Sequence, residues 1–215
     1  MNETPSRASL KEILAGDALE EVLCEDSFGD YVEVTPRLLA MLNLRDCKEQ
    51  LERWKSEPLR LAQAAKSAHL AMQSALTDAL AGPAGIGAYT DALRTEYLAY
   101  FDEAAPPPER DFVLPFPKLL ARAMEQPMEW SGQKLEVSHN ETKALEELTF
   151  VRHRVEHPRP QSHLIEPQFI ARTLPVAARL TLELLDIGAH HYEDGERAAV
   201  ESAVAAISAL CAEID

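Results

Sequence analysis

The stretch Phe150-Val-Arg-His-Arg-Val-Glu-His-Pro158 decides how this chain is interpreted. It contains Arg152 and His157 in the spacing Arg-x4-His, with the polar His153 directly after the arginine. Histidine moves protons near neutral pH, and arginine stays charged and neutralises developing negative charge. The stretch therefore suits phosphodiester chemistry that needs no metal ion.

The position of Arg152 on its predicted helix, Glu141–Glu156, adds to this. On a helical wheel the apolar side chains of that helix form one stripe, and Arg152 falls inside it. The stripe consists of Ala144, Leu145, Leu148, Val151 and Val155. A guanidinium on a core-facing seam is costly unless it is paired or lies in a polar cleft. Two explanations stay open: an ion pair, for example with Glu156, or a cleft or dimer seam where the arginine binds an anion.

His157 stands at the predicted end of the same helix, directly before Pro158. A histidine at a helix C-terminus is also a favourable cap, because its positive form interacts well with the helix dipole. The wheel separates His157 from Arg152 by about 140°. The two side chains therefore converge only if the chain turns at His157 or if a second subunit supplies the opposing pair. We accordingly predict a homodimer whose interface includes the Glu141–Glu156 helix.

Length and composition predict a protein of one domain, or of one domain with an extension. The chain has 215 residues, of which 46% are apolar, and this excludes a disordered protein. It contains no apolar run long enough to span a bilayer, and its first residues do not resemble a signal peptide. Cys24, Cys47 and Cys211 are too few and too widely spaced for a disulfide framework or a zinc motif. We predict reduced thiols and a cytoplasmic protein.

The charge distribution restricts the ligand. A net charge of −15 disfavours a general nucleic-acid coat, because phosphate binding needs clustered lysine and arginine. The segment 152–172 is the exception, with four arginines and three histidines against Glu156 and Glu166. This local excess is compatible either with a small phosphate site or with a solvated surface that happens to be basic.

Helical periodicity dominates the chain and predicts an all-α bundle. Strand-like alternation is confined to Phe28–Val34, where we expect one short strand without a partner. We place an N-terminal, mostly helical extension at 1–57 and the bundle at 58–215. The predicted helices are Thr35-Pro36 to Leu44, Asp46–Lys55, Leu59–Ala81, Ala88–Ala104, Lys118–Glu125, Glu141–Glu156, Pro167 to Gly188, and a last helix after Gly195.

A long helix that ends in Arg152-His153-x3-His157, followed by a short linker and another long amphipathic helix, resembles the HEPN superfamily. The resemblance covers about 58–188, and this motif is its only specific element. It implies a HEPN-like helical bundle. In catalytic members the arginine and the histidine, usually from both subunits of a dimer, form the site of a metal-independent endoribonuclease.

On that pattern Arg152 and His157 are the expected catalytic residues, and His153, Arg154 and Arg159 are expected to bind substrate. The resemblance also implies a toxin or defence effector, with RNA or nucleotide as ligand and an antitoxin or other protein as partner. Toxin members that are paired with a nucleotidyltransferase often have tyrosine two residues after the histidine. Arg159 stands there instead, which puts modification by a partner enzyme in doubt.

Other groups of residues are weaker candidates. His190, His191, Glu193 and Asp194 have ligand chemistry, but adjacent histidines point in different directions, and we expect no metal. No motif predicts a cofactor. We expect Lys66 and His69 at a solvated edge, and the glycines of 82–87 lack the preceding strand of a phosphate loop. The alternative to a nuclease is a non-catalytic helical module that binds nucleotide, RNA or a partner protein, with Arg152 in a structural ion pair.

Overall fold

The computed structural model describes residues 27–28, 31–32, 34–157, 160, 164–188 and 195–214. Within these ranges the chain forms seven α-helices and one short hairpin, which confirms the all-α prediction. The elements are β1 (Ser27–Phe28), β2 (Tyr31–Val32), α1 (Pro36–Arg53), α2 (Arg60–Ala81), α3 (Asp91–Phe101), α4 (Phe116–Glu125), α5 (His139–Glu156), α6 (Pro167–Gly188) and α7 (Glu196–Ala212). None of the described helices is long and apolar enough to cross a membrane.

Two of the predicted elements differ from the structure. The two helices expected before and after residue 45 are the single helix α1, because Leu44, Cys47 and Leu51 continue one buried stripe and no glycine or proline interrupts it. The strand expected to lack a partner is a hairpin within its own segment, in which Phe28 pairs with Tyr31. Both corrections concern how local segments continue, and neither changes the fold class.

Local sequence explains where the helix carrying the motif begins. Ser138 is the N-cap of α5, and its hydroxyl accepts a hydrogen bond from the backbone N–H of Glu141. The Glu141 carboxylate accepts in turn from the backbone N–H of Ser138 at 2.8 Å, which completes a capping box. Glu141 also forms an ion pair with Arg179 of α6. The start of α5 is therefore fixed both locally and by the neighbouring helix.

The core is continuous across the predicted boundary at residue 57. α2 lies in the centre, and α1, α5 and α6 pack on it, while α7 packs on α1 and α6. Alanines on α2 allow this close approach: a methyl group added at Gly188 of α6 would lie 2.8 Å from Cα of Ala79. Residues 1–26 of the predicted extension lie outside the described part of the chain.

α3 is the exception to this packing, since no other described helix packs along it extensively. Its only buried residue is Leu93. Arg122 of α4 holds the preceding loop, because its guanidinium donates to the carbonyl oxygens of Gly87 and Tyr89 at 2.8 and 2.6 Å and to the Asp91 carboxylate at 2.7 Å. The helix is thus attached at its first turn, and its later turns extend along the surface.

Candidate functional site

Arg152 lies in the last turns of α5 and faces α2. Its Nη2 atom is 2.6 Å from Oε2 of Glu156, one turn further along the same helix. The Arg152 side chain is 28% exposed, and its Nε atom is buried without a hydrogen-bond partner. The first of the two explanations for an arginine on the apolar stripe, a local ion pair, is therefore observed.

Lys66 of α2 completes this charged group. Its Nζ atom lies 4.0 Å from Oε1 of Glu156, so Lys66 and Arg152 share one carboxylate. The Glu156 side chain is only 19% exposed, which limits how far water screens the pair. Two cations that share one partly buried carboxylate leave a local excess of positive charge.

His69 of α2 is the residue that sequence reasoning placed wrongly, because it is buried and not at a solvated edge. Its ring packs against Phe116 with centroids 4.4 Å apart, and neither ring nitrogen has a hydrogen-bond partner. Burial, and then the positive charge of Arg152, lower the pKa of His69 from 6.5 to about 4. The signal was available in the sequence, since Ala65, His69 and Met72 follow the helical spacing of the buried stripe.

His157 is the C-cap of α5, as the structural alternative predicted. Its backbone N–H donates to the carbonyl oxygen of His153 at 3.0 Å, and the two exposed imidazole rings lie 5.0 Å apart. Within one chain the structure thus brings His157 together with His153, and Arg152 together with Glu156 and His69. Arg154 lies over the exposed ring of Phe150 at 4.9 Å, and Arg159 lies outside the described residues.

A mostly apolar groove of about 310 Å³ runs between α4 and α5 beside this site. Phe116, which contacts His69, lies in its wall, and Thr149 borders it one turn before Arg152 on α5. Pro117, Leu120, Ala121, Met124, Thr142, Leu145 and Glu146 form the rest of its lining. The groove therefore ends within one helical turn of Arg152 along α5.

No group of three or more histidine, cysteine, aspartate or glutamate side chains in the described ranges is arranged to hold a metal ion. The candidate ligands His190, His191, Glu193 and Asp194 lie outside those ranges. The glycines of 82–87 form the turn after α2, where Gly82 and Gly85 have positive φ angles. This turn follows a helix and precedes α3, so its glycines serve chain reversal.

The fold and the site define an all-α helical bundle with a charged group at the end of one long helix. Comparison with models of known protein families, with curated proteins and with solved structures found no match for this chain.

Proposed function

We propose that this protein is a HEPN-like helical module that binds the phosphate of RNA or of a nucleotide at the basic end of α5, which we define as Lys66, Arg152, His153 and His157. The observation that carries the proposal is the shared carboxylate: Lys66 and Arg152 both contact Glu156, so two cations are balanced by one negative charge. A guanidinium with unused donors in a half-buried position matches the planar geometry of a phosphate group.

A phosphate at this position has two sources of stabilisation. It accepts charge-assisted hydrogen bonds from the exposed part of the Arg152 side chain, which is 28% exposed. The imidazoles of His153 and His157 are exposed at the same end of α5, 5.0 Å from each other, and offer N–H donors to a ligand that extends past Arg152. The negative end of the α5 dipole opposes an anion here, so binding depends on the cationic side chains and is sensitive to salt.

The neighbouring groove suits the apolar part of the same ligand. Phe116 and the aliphatic side chains of α4 and α5 give it a wall on which a nucleobase packs without hydrogen-bonded recognition. A ligand with a phosphate at Arg152 and a base in the groove uses both features. RNA ends and nucleotides carry both a phosphate and a base, whereas inorganic phosphate lacks the base.

The second candidate function is a metal-independent endoribonuclease at a dimer cleft, acting as a toxin or defence effector, with Arg152 and His157 as catalytic residues. The observation that favours it is Phe150, whose aromatic side chain is exposed two residues before Arg152. An exposed phenylalanine beside the motif is suited to burial by a second subunit, which would oppose two Arg152–His157 pairs. Because Arg152 is paired and His157 caps the helix, the isolated chain favours binding over cleavage.

One experiment separates these functions. Fluorescein-labelled single-stranded RNA is titrated with wild type and with Arg152→Gln in EDTA, at low and at physiological salt, and the same samples are run on denaturing gels. Arg179→Gln is the matched control, since Arg179 forms ion pairs with Glu141 in the first turn of α5 and with Glu183 of α6. We expect Arg152→Gln to weaken binding about tenfold, as loss of a charge-assisted hydrogen bond of about 1.5 kcal/mol implies, and Arg179→Gln to bind as wild type.

The denaturing gels and the molecular mass by light scattering decide between the binding module and the nuclease. Intact RNA in all lanes, with binding that needs Arg152, supports the module. Cleavage in EDTA that is lost in both Arg152→Gln and His157→Gln, from a protein whose mass by light scattering is that of a dimer, supports the nuclease. Equal binding by wild type and Arg152→Gln contradicts the module, and cleavage by Arg152→Gln at the wild-type rate contradicts the nuclease.

A further inference from the structure

The last two turns of α3 carry an apolar stripe that no part of the described chain covers. Leu93 at its start is buried, and the stripe continues through Tyr97, Tyr100 and Phe101 at helical spacing. Tyr100, Phe101, Leu98 and Phe112 are exposed by 41%, 50%, 50% and 67%. We call the side chains of Tyr97, Leu98, Tyr100, Phe101 and Phe112 the aromatic surface.

This surface is organised by its own contacts. The rings of Tyr89 and Tyr97 stack with centroids 5.3 Å apart, and Phe101 lies 6.0 Å from Tyr97 and 5.8 Å from Tyr100. The chain returns beside it after α3, where Leu114 N–H donates to the carbonyl oxygen of Ala88 at 2.9 Å. Side chains that are already ordered lose little entropy on binding, so such a surface is suited to recognition.

Carboxylates surround the aromatic surface. The segment 91–111 carries six acidic residues and two basic ones, and all six acidic side chains are exposed. They are Asp91, Glu96, Asp102, Glu103, Glu109 and Asp111. Asp91 is neutralised by Arg122 at 2.7 Å, and Arg94 by the Glu129 carboxylate at 3.6 Å, so five carboxylates and Arg110 remain. Exposed rings within an acidic rim attract cations both through the carboxylates and through the ring faces.

The negative charge around the aromatic surface excludes three other ligands for it. RNA would bring phosphates against the acidic rim. A second copy that docks symmetrically would oppose this rim to itself. The residues 1–26 of this chain carry seven acidic and two basic residues, so their charge has the wrong sign.

We propose that the aromatic surface binds a basic, partly apolar polypeptide segment of a partner protein. Lysine or arginine side chains of that segment lie over Tyr100 and Phe101 and reach Asp102 and Glu103, while its apolar side chains cover Leu98 and Phe112. Because the binding energy comes from aromatic contacts and from an acidic rim together, neither an acidic peptide nor a polar basic one satisfies the surface. This proposal is independent of the phosphate site.

The test uses the full chain and three fluorescein-labelled peptides of equal length: an amphipathic one of lysine and leucine, one of glutamate and leucine, and one of lysine and serine. Binding is measured by anisotropy with wild type, with Phe101→Ser and with Glu103→Gln. Phe150→Ser is the matched control, because Phe150 on α5 is exposed by 53%, slightly more than Phe101 at 50%. Unfolding curves for all variants are the control that these exposed substitutions leave the fold intact.

We expect the lysine–leucine peptide to bind wild type more tightly than the other two peptides. Phe101→Ser weakens it about fivefold or more, as for an aromatic interface residue, Glu103→Gln weakens it less, and Phe150→Ser leaves it unchanged. Equal binding by Phe101→Ser and wild type overturns the proposal, as does an equal loss in Phe150→Ser or no binding at all. A wild-type dimer that Phe101→Ser converts to a monomer overturns it too, and assigns the surface to a second copy of this chain.

Discussion

Arg152 Nη2 lies 2.6 Å from Glu156 Oε2, and the same guanidinium adds to the effect of burial in lowering the pKa of His69 on the facing helix. The arginine of the Arg-x4-His motif is thus directed toward α2, whereas His157 is exposed beyond the end of α5. Within a single chain the two residues of the motif belong to different local environments. This arrangement is why we propose phosphate binding first and cleavage only for a dimer.

Removing the competing carboxylate should strengthen phosphate binding. In Glu156→Gln the charge that occupies Arg152 and Lys66 is lost, so both cations become available to an anionic ligand. An ion pair of this kind contributes up to about 1 kcal/mol, and the Kd for labelled RNA should therefore fall by up to about fivefold. The measurement is an anisotropy titration beside wild type. An unchanged Kd together with a lower melting temperature would leave the pair with a structural role only.

His69 should make the protein less stable in mild acid. Its pKa is about 4 in the folded chain and 6.5 as a free side chain, so between these values the unfolded state binds the extra proton. The contribution of His69 to the free energy of unfolding is therefore fully present above pH 6.5 and is lost progressively as pH falls toward 4. The loss between pH 7 and pH 5 should be about 2 kcal/mol.

Urea unfolding of wild type and of His69→Leu at both pH values measures this effect. The variant should lose most of the difference between pH 7 and pH 5, because leucine does not titrate and fits the apolar contact with Phe116. His157→Gln, a change at an exposed position, should keep the wild-type difference. Equal pH dependence in wild type and His69→Leu would rule out His69 as its source.

Gly87 should not tolerate a side chain. A Cβ atom there would lie 1.8 Å from the carbonyl oxygen of Leu80, which is backbone and has no room to move. We expect Gly87→Ala to lower the free energy of unfolding by about 3 kcal/mol. Gly85 in the same turn is the control: a Cβ there meets nothing, and its φ of +71° costs about 1 kcal/mol for alanine. Chemical denaturation of both variants compares the two losses, which should not be equal.

Arg122 should control the attachment of α3. Arg122→Met keeps the aliphatic packing but removes the donors to Gly87, Tyr89 and Asp91, and it leaves carbonyl oxygens without their partner. A loss of about 2 kcal/mol follows, together with faster hydrogen exchange in α3. Arg197→Met, which removes exposed ion pairs to Asp186 and Glu201, should change stability by less than about 1 kcal/mol and leave exchange in α3 as in wild type. Unchanged exchange in Arg122→Met would show that α3 is held by other contacts.

The sequence by itself determined the all-α class and the approximate bounds of most helices. Thr35-Pro36 marked a helix start in the sequence, because the groups that satisfy the first N–H donors of a helix are local. Helical spacing also identified Arg152 as a charge on an apolar stripe. The HEPN-like arrangement, the homodimer, and the catalytic roles of Arg152 and His157 with their substrate-binding neighbours His153, Arg154 and Arg159 stay predictions.

Only the tertiary structure decided which partners the charged residues meet. Glu156 was a candidate partner from spacing alone, but its second contact, Lys66, comes from a helix that is distant in sequence. The burial of His69 depends on α4 and α5 covering that face of α2, and periodicity shows a stripe without showing what covers it. For α3 the same limit works in reverse: the helix has an apolar stripe, yet the other described helices pack without it, and most of the stripe stays exposed. Whether an apolar stripe is buried depends on which elements pack against it, and that packing involves residues distant in sequence.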